Sequence, residues 1–185
     1  ELDLAAPSLT SVATGDGVVP VEQAAPLAEN DRDVPSHTTV ATVEGVAYWI
    51  GENNFYVYDG TIKVLPCPVH NLIYGGLRPD SIVKETLSML QSQKVFSAQV
   101  AKYNEIWWFY GADVTNINTN TTTTATDINR YVIYNYVDNT WSIGQSLIRT
   151  AWEDSDAFNT PIAAALNGEI YDQETGYNDG NSAMN

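Results

Sequence analysis

Short runs of apolar and β-branched residues, separated by turn residues, dominate the chain from Thr38 onward. The stretch TTVATVEGVAYWIGENNFYVYDGTIKVLPCPV is interrupted by Glu44-Gly45, by 51–54 and by Asp59-Gly60. Gly tolerates the positive φ that tight hairpin turns require, so X-Gly pairs between β-rich runs predict hairpins. We therefore predict a four-stranded antiparallel meander, with strands at 38–43, 46–50, 55–58 and 61–65.

The first hairpin pattern recurs along the chain as VATVEGVAYWI at 40–50, AQVAKYNEIWWF at 98–109 and IAAALNGEIYD at 162–172. This alignment brings three turn pairs into register, namely Glu44-Gly45, Tyr103-Asn104 and Asn167-Gly168. The next hairpin also repeats, because FYVYDGTIKV corresponds to NYVDNTWSIG and Asp59-Gly60 matches Asp138-Asn139. Without insertions the period is roughly 35 to 47 residues, the range of a four-stranded propeller blade.

We therefore predict an all-β fold of β-propeller-like antiparallel four-stranded repeats, with two full blades and part of a third. A propeller needs about four to eight blades, so we expect the chain to be a segment of a larger propeller and a piece of a longer polypeptide. The predicted organisation is a Pro/Ala-rich acidic arm or linker at 1–37, repeat 1 at 38–69, an insertion at 70–94, repeat 2 at 95–155 with a Thr/Asn-rich loop at 112–128, and partial repeat 3 at 156–185. Within the first insertion, PDSIVKETLSMLQSQ is compatible with a short helix.

The stretch KYNEIWWFYG, from Lys102 to Gly111, is apolar at successive positions, which is typical of a strand buried on both faces. First strands of the repeat are rich in small residues, as expected close to a propeller axis. Second and third strands carry large aromatic residues that would fill the wedge between blades. The predicted inter-blade aromatic residues are Trp49, Tyr56, Trp107, Trp108, Tyr134, Trp141 and Trp152.

The formal charge of −15, from 23 acidic and 8 basic residues, argues against a groove that grips phosphate backbones. A single cysteine, Cys67, excludes an intramolecular disulfide and a multi-thiolate zinc site, and is interpreted as a small buried hydrophobe. The sequence contains neither an 18-residue apolar run nor a signal-peptide pattern at its first residues, so we predict no contact with a membrane.

Candidate catalytic and metal-binding residues are few. Glycosidases use paired carboxylates, for which the candidates are Glu105, Asp127, Glu153, Asp154 and Asp156, here interpreted as solvated turn acids. His37 and His70 lack zinc-site spacing, and 177–182 lacks the acid pattern of an EF-hand loop, although calcium at an acidic turn stays open. No nucleophile elbow or phosphate loop occurs, and Asn120-Thr121-Thr122 is interpreted as a chance glycosylation match. We predict no enzyme activity, no cofactor and no metal site.

Four segments then carry a resemblance to a known family. They are VAYWIGENNFYVYDGTIKVLPCPV, YNEIWWFYG, INRYVIYNYVDNTWSIG and RTAWED, in that order, and the resemblance covers roughly residues 38–180. Together they resemble virion proteins of short-tailed bacteriophages, in the group of tail nozzle, tail tubular or packaged-DNA stabilisation proteins. Members of this family are much longer than this chain.

The resemblance implies a structural protein of the phage tail within the virion. Its partners would be other copies of itself in a ring, typically of six, the portal or adaptor, other tail proteins, and DNA that passes without sequence-specific binding. The ring would help to retain the packaged genome and leave a channel for its exit. An acidic wall suits such a channel, because it repels phosphates.

Two alternatives remain open. Stacked aromatic residues can form a sugar platform, so the chain could be a carbohydrate-binding or glycoside-cleaving propeller used in host attachment. The other alternative is a receptor-type propeller from a cell surface.

Overall fold

The computed structural model describes residues 39–77, 81–145, 147–154, 157–175, 178–179 and 182–183. The first strands are β1 Val40–Val43, β2 Val46–Ile50, β3 Phe55–Tyr58 and β4 Ile62–Leu65. A one-turn helix, α1 His70–Ile73, leads into β5 Tyr74–Leu77 and β6 Val83–Leu87, and a 3-10 helix spans Met89–Lys94. Then follow β7 Phe96–Val100, a 3-10 turn Ala101–Tyr103, β8 Glu105–Tyr110, β9 Ala112–Asn116, β10 Thr121–Thr123, β11 Arg130–Asn135 and β12 Thr140–Gly144. The last strands are β13 Ala151–Glu153, β14 Ile162–Ala164, β15 Ile170–Asp172, β16 Asn178–Asp179 and β17 Ser182–Ala183.

These strands form antiparallel sheets that repeat one plan. The first sheet has the order β1-β2-β3-β4, and the second sheet has the order β7-β8-β11-β12. The third sheet has the order β13-β14-β15, and an inserted sheet has the order β10-β9-β6-β5. Strands β16 and β17 form a separate pair. The prediction of an all-β, propeller-like segment built from four-stranded antiparallel sheets is confirmed.

The hairpin turns adopt the backbone geometry that the turn residues indicate. Gly45, with φ of 83°, closes the β1-β2 hairpin, and Asn104, with φ of 60°, precedes β8 at the equivalent turn. Asparagine is among the side chains that tolerate the left-handed region, so it can replace glycine there. At the β11-β12 turn, Asn139 has φ of 55° and accepts a hydrogen bond from the Tyr134 hydroxyl at 2.8 Å. The two central strands of the first meander have the predicted bounds.

The helix expected within the first insertion is not formed over Val83–Leu87, which is strand β6. The register of β6 with β9 runs from Val83 opposite Asn116 to Leu87 opposite Ala112. Burial alternates from one residue to the next here, as it does in a strand: Glu85 and Leu87 are buried, while Thr86 between them is exposed. Only the 3-10 helix Met89–Lys94 is helical in the second half of that stretch.

The segment expected to be a Thr/Asn-rich loop at 112–128 begins as a hairpin. Strands β9 and β10 pair from Asn116 opposite Thr121 to Val114 opposite Thr123, and the Thr115 and Thr122 hydroxyls lie 2.9 Å apart across the pair. Threonine is β-branched and favours strands, a propensity that the polar composition concealed. The two insertions predicted separately therefore pair with each other and form the inserted sheet.

Asn129 closes the base of this second insertion, where the chain returns to the second sheet. Its Oδ1 accepts from the Ala112 amide at 2.8 Å, and its Nδ2 donates to the Ala112 carbonyl at 3.1 Å. Its backbone amide donates to the Tyr110 carbonyl at 3.1 Å. The Asn129 side chain thus makes the two hydrogen bonds with the Ala112 backbone that a neighbouring strand would make, at the point where the chain passes from β8 to β9.

The third sheet begins earlier than the predicted boundary at 155. Strand β13 pairs with β14, from Ala151 opposite Ala164 to Glu153 opposite Ile162, so residues 151–153 do not belong to repeat 2. Strand β7 contacts β1 on one side and β13 on the other, so β13 occupies the first-strand position. Strands β14 and β15 are then second and third, and the alignment of 162–172 with 40–50 is displaced by one strand. The Asn-Gly pair that suggested the alignment is a general hairpin signal, which cannot distinguish one hairpin from the next. The arm or linker predicted at 1–37 lies outside the described residues.

A buried ion pair joins the inserted sheet to the second sheet. The Arg130 guanidinium on β11 donates from Nε to Glu85 Oε2 at 2.9 Å and from Nη2 to Glu85 Oε1 at 2.8 Å. Glu85 is buried on β6, and the Nη1 of Arg130 donates to the Asn129 carbonyl at 2.7 Å. This bidentate geometry fixes the two sheets relative to each other, because a rotation of either strand would break both bonds.

We expect Arg130→Met to lower the free energy of unfolding by about 3 kcal/mol, because it removes the bidentate partner of the buried Glu85 carboxylate. The double variant Glu85→Leu/Arg130→Met should recover most of that loss, since it removes the carboxylate together with its bidentate partner. Chemical denaturation monitored by tryptophan fluorescence measures both. A double variant as unstable as the single one would show that the pair does not account for the effect.

Candidate functional site: the aromatic interfaces between sheets

Strand β8 is buried on both faces, as its sequence indicates. The side chains of Ile106, Trp108 and Tyr110 lie in a hydrophobic cluster shared with the first sheet. Those of Trp107 and Phe109 lie in a second cluster, on the opposite face of the strand. Trp108 and Phe109 have no exposed surface. The second sheet is therefore the middle layer of a stack, with the first sheet on one side and the start of the third on the other.

Phe55 is the centre of the first interface, between the first and second sheets. Its ring centroid lies 5.2 Å from that of Trp108 and 4.8 Å from that of Trp141. Tyr134 extends this cluster, 4.7 Å from Trp141 and 5.9 Å from Tyr48. The Trp108 indole donates a hydrogen bond to the Thr39 carbonyl at 3.0 Å, immediately before β1. Tilted ring pairs at these separations add to the energy of apolar burial.

The second interface lies between the second sheet and the segment that enters the third. The Trp107 ring stacks on Tyr131 at 5.2 Å and contacts Trp152 at 5.5 Å. Phe109 lies 5.9 Å from Trp152 and stacks on Phe96 at 4.8 Å. The Trp107 indole donates to Glu105 Oε2 at 2.8 Å, so its polar group is paired while its ring is buried.

Two of the predicted inter-blade residues do not lie between two of the described sheets. Trp49 and Tyr56 stack on each other at 5.4 Å on the face of the first sheet that points away from the second. Of the predicted set, the described sheets therefore enclose Trp107, Trp108, Tyr134, Trp141 and Trp152. The predicted set omitted Phe55 and Phe109, although both are fully buried and Phe109 lies in the stretch predicted to be buried on both faces. Their signal was available in the alternation along β3 and β8, which places every second residue on one face.

The candidate catalytic acids are dispersed and occupied with local contacts. Glu105 pairs with Trp107, Asp154 Oδ2 accepts from the Ala101 amide at 2.8 Å, and Asp127 lies 3.3 Å from Lys94 Nζ. Glu153 is exposed on β13. Asp156 lies outside the described residues.

A cavity of about 340 Å³ adjoins the Lys94 and Asp127 ion pair and is also lined by Phe96, Thr150 and Leu166. Lys94 Nζ donates in addition to the Thr126 carbonyl at 2.9 Å. Both charged side chains that line the cavity therefore already contact other groups of the protein.

The candidate metal and nucleophile residues also have structural partners. The Nε2 of His70 lies 2.7 Å from the Asn53 carbonyl, and its ring lies 4.6 Å from that of Tyr74. Burial raises the pKa of the Cys67 thiol to about 11, so the thiolate is scarce near neutral pH. Among the described residues no group of His, Cys, Asp and Glu side chains is arranged to hold a metal ion. His37 lies outside the described residues, as do the side chains of 177–182.

Two carboxylates near the third sheet have pKa values shifted in opposite directions. Loss of hydration and then repulsion by Glu105 raise the pKa of Glu174, against the attraction of Lys102. Hydrogen bonds from Tyr171 and then Asn167 lower the pKa of Glu169. The fold therefore disfavours the ionised form of Glu174 and favours that of Glu169.

No model of a known protein family matches the chain, and no curated protein matches it either. Among the residues that the structure describes, no helix has the length and apolar character needed to cross a membrane.

We expect Trp108→Ala to lower the free energy of unfolding by about 3 to 5 kcal/mol, because it leaves a cavity beside Phe55 and removes a buried hydrogen bond. Trp107→Ala should have an effect of about the same size at the second interface. The matched control is Val137→Ala in the exposed β11-β12 turn, which should change stability little. Urea denaturation measures all three, and full stability of Trp108→Ala would contradict the buried-interface assignment.

We expect Glu174→Gln and Glu169→Gln to have opposite effects on the melting temperature at pH 7. Since the folded pKa of Glu174 is raised, its contribution to stability is present below the ordinary value of 4.5 and is lost as the pH rises, so Glu174→Gln should stabilise at pH 7. Since the folded pKa of Glu169 is lowered, its contribution is present above 4.5 and is lost as the pH falls through the lowered value, so Glu169→Gln should destabilise at pH 7. Melting curves from pH 7 down to acid conditions test both, and shifts of the same sign would contradict the assignment.

Proposed function

We propose that this chain is part of a structural protein of a short-tailed phage tail, which forms a ring below the portal. In this role it acts through contacts between subunits rather than through catalysis. It helps to retain packaged DNA and provides part of the exit channel. The observation that carries the proposal is the stack of four-stranded sheets joined by buried aromatic rings, on a chain whose ordered motifs resemble that family.

The aromatic interfaces suit a mechanical role. A ring below the portal bears load from the packaged genome, so its subunits need sheets that do not slide past one another. Interlocked rings such as Phe55 between Trp108 and Trp141 resist sliding, because each ring would have to leave a close-packed site. The Arg130 and Glu85 pair adds a directional restraint between the second sheet and the inserted sheet.

The charge supports the same role. With a formal net charge of −15, the surface repels nucleic acid, so DNA would pass without adhering. Repulsion of this kind is screened by salt, and it requires no sequence recognition.

The test is localisation of the protein in particles that carry this gene. An antibody raised against the recombinant chain should label one vertex of intact virions, and cryo-electron microscopy should place the chain in a ring on the portal axis. Particles in which Trp108→Ala is introduced should lose packaged DNA on mild heating earlier than the parent, with Val137→Ala particles as the control. Labelling of an outer appendage, or no label on virions, would overturn the proposal.

A second function has one observation in its favour. Trp49 and Tyr56 stack at an interplanar angle of 19° on the outer face of the first sheet, beside the exposed ring of Tyr58, and such a face can bind the apolar side of a sugar. A glycan array followed by calorimetry tests it. Binding that Tyr58→Ala abolishes, with the fold retained, would favour a host-attachment role.

A further inference from the structure

The cavity of about 340 Å³ lies where separate parts of the chain meet. The end of the 3-10 helix with the start of β7, the segment that returns to β11, and the third sheet each contribute to its wall. The wall includes Gln93, Lys94, Phe96, Asp127, Thr150 and Leu166, all in the described part of the chain. Ligand pockets commonly measure roughly 300 to 1,000 Å³, so this cavity has room for one small molecule.

Lys94 and Asp127 place a hydrogen-bond donor and an acceptor side by side in this wall. Lys94 Nζ lies 3.3 Å from Asp127 Oδ1 and donates to the Thr126 carbonyl at 2.9 Å. An ammonium group has three N–H donors, so one remains for a ligand. Asp127 Oδ1 also accepts from the Ile128 amide at 2.9 Å, whereas no described residue donates to Oδ2. The two side chains are 45% and 38% exposed, so a ligand from solvent can reach both groups.

Two neutral side chains add further hydrogen-bonding groups to the wall. Gln93 is exposed, and its amide makes no hydrogen bond with the residues that the structure describes. The Thr150 hydroxyl donates to the Ala164 carbonyl at 3.3 Å, which leaves the lone pairs of its oxygen to accept from a ligand. The wall can therefore donate to a ligand and accept from it at more than one point.

The apolar part of the wall contains an aromatic ring held in place by the core. Phe96 stacks on the fully buried ring of Phe109, with centroids 4.8 Å apart and an interplanar angle of 11°. This contact covers one face of the Phe96 ring, and the rest of the half-buried side chain lines the cavity together with the exposed Leu166. A ring already held by the core loses little conformational freedom when a ligand packs on it, which favours binding.

These groups together favour one class of small ligand. Each hydroxyl of a sugar both donates and accepts, so two neighbouring hydroxyls can bind Asp127 and Lys94 at once while the C–H face of the ring packs on Phe96. An anion such as a nucleotide would meet the Asp127 carboxylate on a chain of net charge −15. A wholly apolar ligand would remove both charged groups from water without forming hydrogen bonds to them. A neutral sugar avoids both costs.

We propose that this cavity binds one monosaccharide unit of a glycan. Asp127 Oδ2 accepts from one sugar hydroxyl, the Lys94 ammonium donates to the neighbouring hydroxyl, and the Phe96 ring contacts the apolar face of the sugar. The site is separate from the stacked rings of Trp49 and Tyr56. It goes beyond the proposed function, because a ring that acts through contacts between subunits requires no ligand.

The first test is an NMR titration of the folded chain with the methyl glycosides of glucose, galactose, mannose and N-acetylglucosamine, one at a time. At least one should bind with a dissociation constant on the order of 1 mM, since a ligand of this size makes few contacts. The amide signals of Lys94, Asp127 and Thr150 should shift with the bound fraction. No binding of any of the four glycosides far above that concentration, or shifts confined to β2 and β3, would overturn the inference.

Two variants test the assigned side chains. Asp127→Asn should weaken binding about tenfold, because the amide oxygen can still accept from the Ile128 amide but lacks the charge that strengthens the bond to a sugar hydroxyl. Lys94→Met should weaken binding by about the same factor, since it removes the charged donor and keeps most of the apolar side chain. The matched control is Asp138→Asn in the exposed β11-β12 turn, which should bind like the parent. Circular dichroism melting curves confirm that each variant is folded.

Other outcomes also decide the matter. Binding that Asp127→Asn leaves unchanged would overturn the inference, as would sugar binding that Tyr58→Ala abolishes, which would place the sugar on the first sheet instead. Thymidine that binds more tightly than every glycoside would replace the sugar with a nucleobase and would also overturn it. Sugar binding at this cavity in a protein absent from virions would keep the inference and remove the proposed function, and a ring in the virion without sugar binding would do the reverse.

Discussion

The two-sided burial of strand β8 is the constraint on which the other sheets depend. An antiparallel strand in a sheet with one wet face would alternate apolar and polar residues, whereas Ile106, Trp107, Trp108, Phe109 and Tyr110 are all buried. Such a strand is stable only if a layer covers each face. The first sheet covers one face through Phe55, and the segment around Trp152 covers the other. Loss of either layer would expose large aromatic rings to water, so the stack is a single cooperative unit rather than a row of independent sheets.

The inserted sheet depends on the same strand in a less direct way. The chain leaves β8 at Gly111, forms the β9-β10 hairpin, and returns to β11 beside Asn129. The Asn129 side chain joins the exit and the return, and Arg130, the next residue, carries the ion pair to Glu85. These two adjacent residues let a long excursion interrupt the second sheet while β8 and β11 keep their register from Glu105 opposite Asn135 to Tyr110 opposite Arg130.

Much of the fold could be predicted because hairpin signals are local. The Glu44-Gly45 and Asp59-Gly60 turns fixed the first meander, and the aromatic run of β8 indicated burial on both faces. Three features could not be predicted in this way. The pairing of β6 with β9 joins segments separated by the whole of β7 and β8. A local sequence pattern can predict a strand, but it does not indicate which distant strand will pair with it. The helix expected near Leu87 reflected spacing alone, and tertiary pairing overrode it. The third repeat was predicted one strand out of place, because an Asn-Gly turn marks a hairpin but does not show which two strands of the repeat it joins. For the candidate site, the sequence was enough to single out the aromatic residues. The face of the sheet on which each one lies could be assigned only from the register of the paired strands.

The order of strands in the inserted sheet has a consequence for how the chain folds. Strands β5 and β6 emerge before β7, yet β9, which pairs with β6, and β10, which pairs with β9, emerge only after β8, and the second sheet stays incomplete until β11 and β12 follow. The two sheets are thus interleaved along the chain, so the inserted sheet is finished when two of the four strands of the second sheet have been synthesised, and the second sheet is finished only after it. Pairings between distant segments are slow to form, because loop closure must come before the contacts that reward it. We therefore expect the arrival of β9 beside β6 to be a slow step in folding, because it closes a loop that contains the whole of β7 and β8.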